Sequence, residues 1–245
     1  MKRASDAAAV FLIHFARLKR EAGPFVLSGL AYPTAMFLFA SAVSGEGLKS
    51  ERSTAFLAGA ITFSLSLTAI SWLGYLLLEN RFMGRLRLFA TLPLHPSSYL
   101  FGILAFAVVQ AVLGITVLMA MASIGGIEIH TNFLLLTVVI ITAMLCLSGI
   151  SVLISTKARS FSEGTLFTDL LGAGMVFLAP VFYPATTLPA PVRNVVAFLP
   201  TSIAADVIRD SLTGVSAPRP ALFLLMAMAG LSLAVAFRVL RWRED

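Results

Sequence analysis

Charge is scarce in this 245-residue chain: 12% of residues are charged, 58% are hydrophobic, and the mean hydropathy is +0.93. That balance excludes an ordinary soluble domain, in which about a quarter of residues are charged. Cysteine is nearly absent. Cys146 is the only one and falls inside an apolar run, so an intrachain disulfide and a thiolate metal cluster are both excluded and a packing role is expected. The three histidines, His14, His95 and His130, lie in three separate segments without metal-ligand spacing. No polar stretch is long enough to house a soluble catalytic domain. Residues 44–51, SGEGLKSE, faintly resemble a phosphate loop, yet Leu48 stands where that loop needs lysine after Gly47, and no buried strand precedes it. The chain is therefore expected not to hydrolyse ATP by itself.

What the chain has instead is long apolar runs. A helix needs roughly 20 mainly apolar residues to cross a hydrocarbon core about 30 Å thick, and unpaired backbone groups keep open loops and sheet edges out of lipid. Runs near 25–43, 55–78, 99–124, 132–154, 166–183 and 220–240 predict an all-α integral membrane protein with six transmembrane helices, a single transmembrane domain over 1–245. Ahead of them, Val10, Phe11, Phe15 and Leu18 recur at helical spacing while His14, Arg17, Lys19 and Arg20 gather on other faces, which predicts an interfacial helix over 5–22. Its apolar stretch is short and broken by His14 and Arg17, so it is expected to be retained and not cleaved as a signal peptide.

Lys and Arg in short loops set orientation. The basic clusters at 2–3, 17–20, 81–87, 157–159 and 238–243 fall on one side of a six-span chain, leaving Lys49, Arg52, Arg193, Arg209 and Arg219 on the other. Both termini are expected in the cytosol, in the cell's plasma (inner) membrane. The net charge of +6 then suits the anionic inner leaflet. Membrane lipids are expected partners and nucleic acid is not, since no loop is large enough to present a basic binding surface.

Polar residues inside the spans are few. Ser64, Thr68, Ser71 and Tyr75 share one face of the second span, a pattern that predicts close helix packing, with lining of a transport pathway as the alternative. Asp169 lies about one turn inside the predicted fifth span, where an unpaired acid at mid-bilayer costs about 2.5–3.5 kcal/mol. The expected partner is Lys157 or Arg159 at the cytosolic interface, and a place on a substrate path is the alternative.

Two connections are more structured than a loop requires. Residues 79–96, ENRFMGRLRLFATLPLHP, predict a helix over 80–92 ended by Pro93 and Pro96. One arc of it carries Phe82, Met83, Leu86, Phe89 and Ala90. Opposite, Leu88 and Leu92 emerge between Arg81, Arg85 and Arg87, where a merely interfacial helix would be uniformly polar. An apolar knob ringed by guanidinium groups suits a protein groove with acidic edges; an amphipathic loop whose arginines only fix topology is the plainer alternative. Residues 184–219 are too apolar for a free loop and are cut by Pro184, Pro189, Pro191 and Pro200. The last piece carries a stripe of Ala204, Val207, Ile208 and Leu212 closed by Gly214, which predicts a hairpin and helix over 184–214 packed back on the outer face.

The pattern E-x-x-x-x-G-x-L-x-L-(L/F)-A-T-x-P in Glu79, Gly84, Leu86, Leu88, Phe89, Ala90, Thr91 and Pro93, followed by Tyr99, Leu100, Phe101 and Gly102 opening a span, resembles the type-2 permease family of ATP-binding-cassette exporters. The stretch at 180–214 is similar to that family's fifth-span exit and membrane-dipping hairpin. The sequence departs from the family pattern at Arg85, where threonine is common, and at Ile103, where lysine often follows the glycine.

The resemblance implies that 80–92 is a coupling helix, with Arg81, Arg85, Leu86, Arg87, Leu88 and Leu92 docking on a cytosolic ATPase bound in two copies. ATP and Mg would belong to that partner, with no cofactor in this chain, which is a permease and not an enzyme. It further implies a second permease chain, a homodimer being expected, and a pathway at the seam near the first, second and fifth spans. Ser64, Thr68, Ser71 and Asp169 would lie at that pathway or interface, and Phe182, Tyr183 and Pro184 would form an outer gate. The expected cargo is a hydrophobic or amphipathic molecule such as a drug, natural product, lipid or glycan intermediate. An ion-gradient transporter would call for two similar halves and paired intramembrane charges, which the sequence does not show. An intramembrane enzyme would need a nucleophile and base or metal ligands at one depth, and that set is missing too. A non-transporting assembly subunit is the remaining alternative.

Overall fold

The computed structural model describes residues 2–18, 23, 26, 30–43, 53–92, 94–127, 129–183, 185–214 and 219–239, and its elements are all helical, with no strand among the described residues. Helices α1 (Lys2–Leu18) and α2 (Tyr32–Val43) precede a continuous helical run, Ser53–Phe82. That run consists of α3 (Ser53–Ser66), a π-helical segment Leu67–Trp72, and α4 (Leu73–Phe82). After the short α5 (Arg85–Thr91) come the long α6 (Pro96–Ile124) and α7 (Phe133–Lys157). Then follow α8 (Phe161–Leu178), α9 (Ala190–Val196), α10 (Pro200–Leu212) and α11 (Arg219–Val239).

Among the described residues, four runs are long and apolar enough to cross a membrane: Ser53–Phe82, Pro96–Ile124, Phe133–Lys157 and Pro220–Val239. They correspond to the second, third, fourth and sixth predicted spans. Of the first predicted span the described helix is α2, and the fifth is α8, an 18-residue helix that carries Glu163 and Asp169. Residues 19–22 of the predicted interfacial helix, the 44–51 stretch, Pro93 and Pro184 lie outside the described residues.

Side chains with a free acceptor start α6, α7 and α8. His95 accepts from the Ser97 N–H at 3.2 Å with Pro96 opening α6, and Asn132 accepts from Leu135 N–H at 3.1 Å to open α7. Ser160 accepts from Glu163 N–H at 3.1 Å while the Glu163 carboxylate reaches back to Arg159 N–H at 2.9 Å. This cap starts α8 five residues before the expected 166, because Ser160 satisfies an orphan N–H of the first turn and Glu163 ties down the N–H of the residue before the cap.

The Ser53–Phe82 run is the hub: α2, α6, α7, α8 and α10 all pack against it. Between Leu57 and Asn80 every residue is buried except Ser71, Trp72 and Tyr75. Small residues permit this approach, since a Cβ on Gly74 would collide with the Thr168 side chain of α8 and one on Gly59 would meet the Phe182 ring at 2.7 Å. Within the π-helical segment the Ala69 and Ile70 carbonyls accept from the Ser151 hydroxyl of α7, so a neighbouring helix satisfies groups that the wider turn leaves underused. At the periphery α11 leans on α7, with Ser232 Oγ donating to the Cys146 carbonyl at 2.7 Å.

Helix α1 packs on α6, where a Cβ on Gly102 would meet the Ala7 carbonyl at 2.6 Å. The expected faces are corrected here. His14 is buried on the same side as Val10, its Nδ1 2.9 Å from the Val10 carbonyl and its Nε2 3.4 Å from Asn80 Nδ2, whereas Leu12 and Ile13 are exposed. A histidine whose two nitrogens are both engaged no longer needs water, and that permits its place on the packed face.

Candidate functional site

The residues predicted to carry function fall in three places: the α4–α5 corner, the middle of the hub, and the hairpin at the opposite end. At the corner, Gly84 adopts a φ of +74°, a conformation cheap for glycine alone. It divides the predicted 80–92 helix into α4, which runs to Phe82, and α5, which begins at Arg85. The break disperses the expected ring of arginines. Arg81 turns to the end of α7, where Nη1 donates to the carbonyls of Ser155 at 2.7 Å and Ala158 at 3.0 Å. Arg85 pairs with Glu79 of α4 at 3.1 Å. Arg87 is exposed, as are Leu88 at 67% and Leu92 at 48%, while Leu86 and Phe89 pack inward on the core.

Beneath α5 lies a junction that sequence reasoning missed. The Phe89 ring lies 6.2 Å from His14 and 5.3 Å from Tyr99, centroid to centroid, and Asn80 Nδ2 donates to the Tyr99 hydroxyl at 3.0 Å. One short helix is thereby held to α1, α4 and α6 together. The available signal was Glu79-Asn80 ending a span and an aromatic, Tyr99, opening the next. Helix α5 is thus a short helix whose outer side carries Arg87, Leu88, Thr91 and Leu92 and whose inner side rests on buried polar and aromatic contacts.

In the hub, Ser64 and Thr68 are fully buried within the chain. Ser66 and Ser71 reach α8, with Ser66 Oγ donating to the Gly172 carbonyl at 2.7 Å and Ser71 Oγ to the Thr168 carbonyl at 3.2 Å. The Asp169 carboxyl lies close to Ser71. The early start of α8 alters the position of Asp169, which is eight residues and so about 12 Å along the helix, not one turn inside it. That distance removes it from Lys157 and Arg159, and among the described residues it forms no ion pair. Asp169 is exposed on this chain, beside the one gap in the hub's burial. A carboxylate facing hydrocarbon there would cost about 2.5–3.5 kcal/mol, so this face calls for protein, water or a cation over it.

At the far end, Phe182 lies on Gly59 of α3 and Tyr183 Oη donates to the Leu178 carbonyl at 3.1 Å, which ties the exit of α8 back on itself. These two rings line a cavity of about 320 Å³ together with Phe56, Asp206 and Arg209. Arg209 and Asp206 pair at 3.2 Å. Burial pushes the Asp206 carboxyl up from its ordinary range, Arg209 draws it back, and Asp210 raises it again. Helix α10 is anchored by Thr201 Oγ1 donating to the Met175 carbonyl at 2.9 Å and by the N–H of Asn132 donating to the Ser211 carbonyl at 2.8 Å. Among the described residues no group of His, Cys, Asp or Glu is placed to hold a metal ion.

An apolar helical bundle with a short amphipathic helix at one end and a cavity at the other fits an integral membrane protein. Comparison with known proteins agrees: the family model described as "ABC-2 type transporter" matches residues 8–213, a stretch that includes the α4–α5 corner, the hub and the hairpin. No curated protein matches the chain. With most of its length matched, the chain belongs to the ABC-2 type transporter family and is the permease component of an ABC transporter.

Proposed function

We propose that this permease pairs with a second copy of itself and recruits two copies of a cytosolic ATPase to export a hydrophobic or amphipathic substrate from the cytoplasm or the inner leaflet. In this reading the chain has six spans, the first and fifth built on α2 and α8, with both termini and the α4–α5 corner in the cytosol and the protein in the plasma (inner) membrane. The observation that carries the proposal is α5, a seven-residue helix whose Leu88, Leu92 and Arg87 are exposed while its inner face is fixed to three other helices. Leu88 enters the ATPase groove, with Arg87 beside it, and Leu86 fixes the lever from below. Arg81 and Arg85 act one step removed, holding the lever to α7 and α4. ATP and Mg are bound by the partner, and its closing motion is passed through Phe89, His14 and Tyr99 to α1 and α6. At the outer side Phe182, Tyr183 and Pro184 close the pathway, and Ser71 and Asp169 face the seam between two permease chains, with Ser64 and Thr68 packed behind them.

Leu88→Asp tests this reading. A charge forced into a desolvated groove without a partner costs about 2–5 kcal/mol, so ATPase recovery in a pull-down should fall at least tenfold while insertion and thermal stability of the permease are unchanged. Full recovery of the ATPase, with substrate-stimulated hydrolysis intact, would sink the proposal.

A further inference from the structure

Along the hub from Leu57 to Asn80, the side chains that reach the surface are Ser71, Trp72 and Tyr75, and they do so together. This window opens where the π-helical segment Leu67–Trp72 ends, and a wider turn there re-aims the side chains that follow. Its contents are chemically specific. The Trp72 and Tyr75 rings stack with centroids 6.0 Å apart, and Phe161 meets Tyr75 edge-on at 5.5 Å, so an aromatic wall extends from the hub to the start of α8. On the α8 side of the same window stands Asp169, exposed, close to Ser71 and, among the described residues, without an ion pair.

An aromatic wall beside a carboxylate is a cation site. The faces of indole and phenol rings carry negative charge density that attracts a desolvated cation, and a carboxylate adds a full counter-charge. Neither group attracts an anion, and a neutral hydrocarbon would leave the carboxylate unanswered. Quaternary and tertiary ammonium ions, or other bulky monocations with an apolar body, satisfy both halves of the window. We propose that Asp169, Ser71, Trp72 and Tyr75 form a recognition site for lipophilic organic cations on the face shared by the hub and α8. The site makes the permease selective for amphipathic substrates of positive charge, an assignment of substrate class that rests on the exporter reading for its place in transport but not for binding itself.

The chain has two tryptophans, so Trp242→Phe leaves Trp72 as the sole indole and makes its fluorescence a direct report of occupancy. The probes are tetraphenylphosphonium and tetraphenylborate, ions of nearly equal size and opposite charge. They are titrated into the full-length Trp242→Phe permease in phosphatidylcholine nanodiscs, with empty nanodiscs correcting for partitioning. Tetraphenylphosphonium should quench Trp72 saturably. Asp169→Asn, which keeps the shape and removes the charge, should weaken it about thirtyfold, and Tyr75→Leu about tenfold. Asp169→Glu should restore most of the affinity, and tetraphenylborate should respond to none of these changes by more than about twofold. Equal binding of the two ions, or tetraphenylphosphonium affinity unchanged in Asp169→Asn, would overturn the assignment. Because no ATPase is present, failure here is distinct from failure of the coupling reading, which the Leu88→Asp pull-down addresses alone.

Discussion

The hub run Ser53–Phe82 and the last span Pro220–Val239 both qualify as membrane-crossing helices, yet 89% of the most apolar stretch of the first is buried within the chain and only 17% of the second. The hub is the less apolar of the two. In a bilayer, lipid is as apolar as leucine, so apolarity does not draw a helix inward; small residues that admit close backbones and hydroxyls that find carbonyls do. The hub has Gly59, Gly74, Ser66 and Ser71 for this purpose, whereas α11 meets α7 chiefly along one line marked by Ser232 and Gly149.

The contrast can be broken most severely at Gly74. A Cβ there has no space against Thr168, so Gly74→Leu should force α4 and α8 apart, lowering permease stability by about 1–3 kcal/mol or more and uncoupling substrate from ATP hydrolysis. Thermal unfolding in detergent and reconstituted ATPase activity would show it; a variant as stable and as coupled as the parent would remove the hub from its central role. A smaller effect is expected at the hub's far end. Replacing both rings in Phe182→Ala/Tyr183→Ala takes away the weight resting on Gly59 and the tie to Leu178, so basal ATP hydrolysis and substrate leak should rise several-fold with little loss of fold. Wild-type basal hydrolysis, transport rate and substrate range in that variant would refute the gate. The smallest effect belongs to α11, where a Cβ on Gly230 meets nothing within 4 Å. Gly230→Ala should leave transport untouched and raise stability by about 0.5 kcal/mol through reduced helix flexibility. A destabilisation comparable to that of Gly74→Leu would mean that α11 is as tightly enclosed as the hub.

The spans were legible in the sequence because bilayer thickness demands them: 99–124, 132–154 and 220–240 were expected where α6, α7 and α11 are found. Their relative burial was not, since composition ranks α11 above the hub. The α8 start was readable but missed, because the Ser160-x-x-Glu163 signature precedes the apolar run instead of lying in it. At the corner, Gly84 was read as part of a family pattern and not as a left-handed residue, so Arg81, Arg85 and Arg87 were placed on one helix that the chain divides. His14 and Asp169 went astray for a shared reason. Each was assigned to the nearest water or the nearest opposite charge in sequence, while the fold supplied Asn80 to the first and Ser71 to the second from helices far along the chain.

The π-helical segment also has a meaning for rotational phase. A wider turn of six residues inside an otherwise α-helical run shifts the angular position of everything beyond it, and one residue more or less in an α-helix amounts to about 100°. Deleting a single residue between Leu67 and Trp72 would therefore swing α4 about its own axis. Glu79, Asn80 and Arg81 would leave Arg85, Tyr99 and the end of α7, and α5 would point away from its present supports. The direction in which α5 faces is thus set by backbone winding that ends 13 residues before it (85 − 72), across a length of chain that contains no charge before Glu79.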